Sequence, residues 1–166
     1  MKRYKPFFIV GLLILAVVGG VWLTLRATAH YPTPGEPVSY PVNQAEGFVL
    51  SVEEPTWSPF RGYTLRYAIA IDSPEVYSLV DDAPQTFEHL EWFHQGQWVR
   101  LVRQTESGAY VTFDIGGSEN TGFQGSLVQK YEGYGTRLEP GTYRLTLEMT
   151  DSQNEPHYLA AEFEIE

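Results

Sequence analysis

The sequence predicts an all-β antiparallel sandwich preceded by one N-terminal transmembrane helix. Three observations carry that prediction: an uncharged apolar run near the start, a proline-rich segment after it, and alternation of apolar and polar residues through most of the remainder. Alternation with period two buries one set of side chains and leaves the other in solvent, as half-buried antiparallel strands do. At 166 residues, the chain has room for one tether and one domain with a core of its own.

The apolar run is PFFIVGLLILAVVGGVWLTL, residues 6–25, and it contains no charged side chain. At 1.5 Å rise per residue it would span roughly 30 Å, the thickness of a bilayer's hydrocarbon core. Residues 1–5, MKRYK, form a basic flank that the positive-inside tendency keeps in the cytoplasm. The span, taken as residues 6–26 with Trp22 at the outer interface, sends the rest of the chain across the cell membrane as a single-pass protein. Ala27-Thr28-Ala29 also has the small-x-small form of a cleavage site after Ala29. The apolar stretch is longer than the roughly 7–15 residues of a cleaved signal, which favours an anchor.

Residues 27–45 contain Pro32, Pro34, Pro37 and Pro41, each of which removes a backbone donor. They are expected to form an extended stalk that lifts the domain, residues 46–166, off the membrane.

Charge divides along the same boundary. The chain has 11 basic and 21 acidic residues, and Lys2, Arg3, Lys5 and Arg26 all precede the first acid. Beyond residue 30 seven basic side chains therefore face 21 acidic ones, a net charge of −14. Such a domain is expected to repel nucleic acid and anionic headgroups. There is no cysteine, which excludes disulfides, thiolate chemistry and a lipid-modified cysteine anchor.

Within the domain, EGFVLSVEE, GYTLRYAIAID, TYRLTLEMT and HYLAAEFEIE alternate cleanly, and EVYSLV, TFEHLEWF, QWVRLV, AYVTFDI and a looser FQGSLVQKY lie between them. Eight or nine short strands separated by turn residues argue a sandwich or barrel. His94-Gln95-Gly96-Gln97 and Asp151 to Pro156 read as hairpin turns.

LEPGTYRL, residues 138–145, places a Pro140-Gly141 turn directly before a strand whose first inward residue is Tyr143. A buried tyrosine needs a partner for its hydroxyl. In immunoglobulin-like sandwiches, a tyrosine at the start of strand F bonds back to the main chain a few residues upstream. The same role is expected of Tyr143, with Trp92 and Trp98 packing as structural aromatics of the preceding hairpin.

With VYSLVDDAPQTFEHLEWFHQGQWVRLV and LEPGTYRLTLEM in view, residues 46–166 resemble the bacterial immunoglobulin-like domain family of small membrane-anchored or exported proteins. The resemblance implies an immunoglobulin-like fold and a place outside the cytoplasm, and it implies no catalytic residues. Some relatives carry a lipidated cysteine where this chain has a hydrophobic span.

Chemistry-bearing patterns are sparse. His89 and Glu91 share a strand face near His94, but a zinc site needs further ligands, and only His30 and His157 remain as histidines. Asp72, Glu75, Asp81 and Asp82 lack the regular spacing of a calcium loop. The glycines at 116, 117, 133 and 135 precede no helix, and Ser118 and Ser126 lack a nucleophile elbow. No catalytic, cofactor or metal residue is therefore named, and the domain is read as non-enzymatic. Two loops carry aromatics, Trp57 with Phe60 and Tyr131 with Tyr134. These four are the candidate partner-binding residues, toward an envelope protein or, alternatively, a carbohydrate or wall polymer.

Overall fold

A computed structural model describes residues 10–20, 29–81, 87–104, 111–117, 122–128 and 133–166. The chain divides into two compact units, Met1–His30 and Tyr31–Glu166. In the first unit, residues 10–20 are α-helical. Among the described residues no helix is long and apolar enough to cross a membrane, and the remaining positions of the expected span, 6–9 and 21–26, lie outside them.

In the second unit, the described residues form eleven strands: β1 (Thr33–Pro37), β2 (Phe48–Val52), β3 (Thr56–Ser58), β4 (Gly62–Ile71), β5 (Val76–Asp81), β6 (Glu88–His94), β7 (Gln97–Val102), β8 (Val111–Gly116), β9 (Gly122–Val128), β10 (Gly141–Thr150) and β11 (Pro156–Ile165). They make an all-β sandwich of two antiparallel sheets. The larger sheet runs β1-β7-β6-β10-β11, and β5 joins β10 at the single pair Ser78–Thr150 and carries β8 on its other side. The smaller sheet has β4 at its centre, with β2 and β3 sharing one edge and β9 on the other.

Alternation sets the two inner faces. Leu65, Tyr67, Ile69 and Ile71 of β4 point inward with Leu127 of β9, and Tyr143, Leu145, Leu147 and Met149 of β10 point inward with Leu90 and Leu159. These side chains belong to one buried cluster, and removing their apolar surface from water is the main force holding the sheets together. Gly125 faces Tyr67 across the β4–β9 pair, and a Cβ there would come within 2.2 Å of the tyrosine ring, so the missing side chain makes room for the aromatic one.

The structure corrects the expected stalk. Thr33–Pro37 is an edge strand paired with β7, and Val38 N–H donates to the Trp98 carbonyl at 3.0 Å. Proline is tolerated at such an edge because its absent donor faces away from the ladder. Further along, Tyr40 stacks on Tyr158 of β11 with ring centroids 3.8 Å apart. Asn43, held at φ +57°, bonds to the outer edge of β11. Its N–H donates to the Tyr158 carbonyl at 2.7 Å, its side-chain amide donates to the Ala160 carbonyl at 3.1 Å, and its side-chain oxygen accepts from Ala160 N–H at 2.8 Å. Residues 33–37 thus add an edge strand to the larger sheet, and residues 38–43 return across its outer face to β11 as a strap, rather than standing free of the domain.

Candidate functional site

The strap covers a polar network on the face of the larger sheet that points away from the core. Register puts Arg144, Glu91 and Arg100 in one row across β10, β6 and β7. Arg144 Nε donates to Glu91 Oε2 at 2.6 Å, and the Tyr40 hydroxyl donates to Glu91 Oε1. Arg100 reaches the Tyr40 oxygen at 2.9 Å, and the Arg144 guanidinium lies 4.4 Å above the Trp98 ring. Glu91 has no exposed surface, so its charge is balanced entirely by these neighbours. Burial, with the Glu91 carboxylate beside it, pushes the Tyr40 hydroxyl well above the ordinary tyrosine range and keeps it a donor.

Beside the network lies a trough of about 850 Å³, lined by strap residues, by outward side chains of the larger sheet and by core residues such as Phe87, Leu101 and Tyr134. Its floor and walls include Tyr158, Glu148, His89, Arg100, Ser78 and Thr150. His89 Nε2 lies 3.2 Å from Glu148 Oε2, and this hydrogen bond holds the Glu148 carboxyl below its ordinary value. The expected pairing of His89 with Glu91 on one strand face is present, but each side chain has its own partner, and His94 packs instead against Trp92 with ring centroids 4.2 Å apart. Among the described residues no group of three or more histidine, aspartate or glutamate side chains could hold a metal ion. Asp82 and Ser118 lie outside the described residues.

The tyrosine turn takes the form the sequence suggests. Tyr143 is 1% exposed, and its hydroxyl donates to the Glu139 carbonyl at 2.8 Å. Trp92 stacks on Tyr143 with ring centroids 6.0 Å apart. Gly141, at φ +151°, lets the chain pass the indole, since a Cβ there would stand 3.0 Å from Trp92 Nε1. Pro140 is exposed at the turn, and Trp98 lies under Arg144.

The four candidate partner-binding aromatics separate. Phe60 is 81% exposed in the β3–β4 turn, and Trp57 on β3 is 42% exposed, with the Arg137 guanidinium 5.1 Å from its ring centre. Tyr134 is a correction: it is only 2% exposed, and its hydroxyl accepts from Leu90 N–H at 3.4 Å. Gly133 and Gly135 on either side take φ of +75° and +78°, a backbone that folds the ring down into the core. Tyr131 lies outside the described residues. The strap network and the trough carry no sequence motif; their only trace is a row of polar residues on the outward positions of three strands.

No family model matches the chain, and no curated protein matches it either. Among solved structures it is similar to a protein described as ApaA from Bordetella pertussis, at 18% identity over 75% of this chain and 96% of that one, with a TM-score of 0.32. So loose an overlap carries no argument about fold or function.

Proposed function

We propose that the protein is a membrane-tethered, extracytoplasmic, non-enzymatic interaction module built on an immunoglobulin-like domain. Residues 6–26 serve as its anchor, with the N-terminus in the cytoplasm. Two features support the immunoglobulin-like reading: the Tyr143 hydroxyl bonded four residues back to Glu139, and the order β7-β6-β10-β11 opposite β2-β4-β9. The observation that carries the interaction reading is the β3–β4 hairpin tip. There Phe60 and Trp57 stand in solvent, whereas the other large aromatics of β2 to β4 are buried or half-buried. Exposed aromatics flanked by arginines, here Arg61 and Arg137, are the composition of binding hot spots. An envelope protein is the partner class this tip fits.

In vivo crosslinking of the full-length protein in its native membrane, followed by mass spectrometry, tests the reading. A single captured protein that disappears with Trp57→Ala/Phe60→Ala supports it. Capture unaffected by the double substitution, or no specific capture, overturns it.

A further inference from the structure

Among the described residues, β1, β11 and β8 stand outermost in the larger sheet, each with a strand on one side alone. β1 carries Pro34 and Pro37, which offer no donor to an added strand, and Asn43 occupies the middle of β11. β8, VTFDIG, has neither device: it contains no proline or lysine, and its β-branched and aromatic residues suit a ladder. It also leaves part of the core's inner row uncovered. Phe113 shares its face with the buried Ile115 and meets Phe87 and Phe123, ring centroids 6.5 and 6.2 Å away, yet it is 42% exposed.

The phase of the β5–β8 ladder decides which main-chain groups stay open. Gly117 N–H donates to the Glu75 carbonyl at 3.0 Å, and the same register continues through Ile115–Tyr77 and Phe113–Leu79. Every second pair of an antiparallel ladder exchanges hydrogen bonds, so Ile115 and Phe113 direct theirs to β5, while Thr112 and Asp114 turn theirs to the open side. A second β8 meets that pattern in one register. Centred on Phe113, an antiparallel pair sets Thr112 of each copy opposite Asp114 of the other, so their main-chain groups bond and a hydroxyl faces a carboxylate. The Phe113 rings then meet at the non-hydrogen-bonded centre, where side chains come closest, and cover each other. Centring on Asp114 would oppose two carboxylates. Centring on Ile115 would enlist Gly116, whose φ of +99° departs from the extended form, and centring on Thr112 would leave Asp114 facing chain beyond the start of β8.

We propose that two copies of the chain meet at this edge: β8 pairs antiparallel with β8 of the second copy about a two-fold axis at Phe113, and the larger sheets become one. With β1 and β11 guarded, the pairing closes as a dimer. The edge is separate from the hairpin tip, so failure of one reading leaves the other standing.

The chain has no cysteine, so introduced thiols report on this contact alone. The test is mild oxidation of the full-length protein in membrane vesicles, read by non-reducing electrophoresis. Phe113→Cys puts two thiols at a pair with Cα atoms about 4.5 Å apart, inside the disulfide range of roughly 4.4–6.8 Å, and should give a linked dimer. Gln124→Cys, exposed on β9, should stay at the level of random collision. Adding Thr112→Pro to Phe113→Cys should abolish the linkage, because it removes an outward N–H and leaves the ladder to β5 intact, with melting curves confirming each variant as folded. On the wild-type protein, hydrogen exchange at Thr112 and Asp114 should slow as copies are packed more densely in the vesicle. Linkage no greater than that of Gln124→Cys, linkage that survives Thr112→Pro, linkage of Phe113→Cys only to a different protein, or exchange independent of density would overturn the proposal.

Discussion

The outer face of the larger sheet buries Glu91 and Arg144, whereas that of the smaller sheet leaves Glu53 and Arg66 in solvent with side chains 69% and 70% exposed. Both faces carry an acid and an arginine side by side, Glu91 on β6 with Arg144 on β10 in the first case and Glu53, just past the end of β2, with Arg66 on β4 in the second. The contacts differ sharply: 2.6 Å between Arg144 and Glu91, with Tyr40 closing the other carboxylate oxygen, against 3.9 Å between Arg66 and Glu53. The cause is the cover. The strap lies over the first pair, while the second sits beside small, outward residues such as Ser51 and Ala68. Burial turns an ordinary surface pair into one whose members depend on each other.

The largest expected effect breaks that dependence. Arg144→Met should cost on the order of 3 kcal/mol or more, because it leaves a buried carboxylate without its cation. The same change at Arg66 should stay within about 0.5 kcal/mol. Urea denaturation of the two variants side by side checks the contrast, and equal costs would mean that the strap confers no burial in solution.

Tyr40→Phe isolates the strap's own share. It keeps the stack on Tyr158 but removes the donor to Glu91, and should cost about 2 kcal/mol, as for a hydrogen bond to a charged group. Tyr143→Phe probes the opposite, core-facing side of the same sheet and should lower stability by about 1 kcal/mol, read as a shift in the denaturation midpoint.

The smallest effect is a pH dependence. His89 holds the Glu148 carboxyl below its ordinary value of 4.5. A depressed folded-state value contributes stability above the unfolded value and loses it as pH falls through the folded one. Acid titration of the melting temperature should therefore show a loss beginning below about pH 4.5 that Glu148→Gln reduces. With the Glu148 side chain 37% exposed, solvent screening keeps this share under about 1 kcal/mol.

Strands announce themselves in sequence where one face is apolar, and each of the nine segments read as a strand contains one among the described residues. β1 and β3 gave no such signal. TPGEP has no apolar alternation because its side chains stand mostly in solvent on both faces of the sheet's edge, and TWS is too short to show a period. The same blindness hid the buried ion pair. Arg144 and Glu91 occupy outward positions, which alternation assigns to water, and only a covering segment makes those positions interior. Tyr134 failed for a local reason: glycines beside an aromatic residue suggest a loose loop, yet their positive φ angles are what turn this ring inward. Tyr143 was legible because Pro140-Gly141 fixes the turn and a buried hydroxyl must find a partner nearby.

Asn43 bears on how such a domain behaves when many copies share a small area. A sheet ending in an open strand is a template, and each copy that adds to it exposes the next template. Here the middle of β11 meets a single amide that presents one donor and one acceptor to Ala160, the hydrogen-bonding face of a strand one residue long. It satisfies the edge without offering a new one beyond it. Glu162 and Glu164, both exposed on the same strand, add like charge against an approaching copy. One residue from a segment that reads as a mere spacer thus occupies the middle of this edge, where an added strand would have to pair.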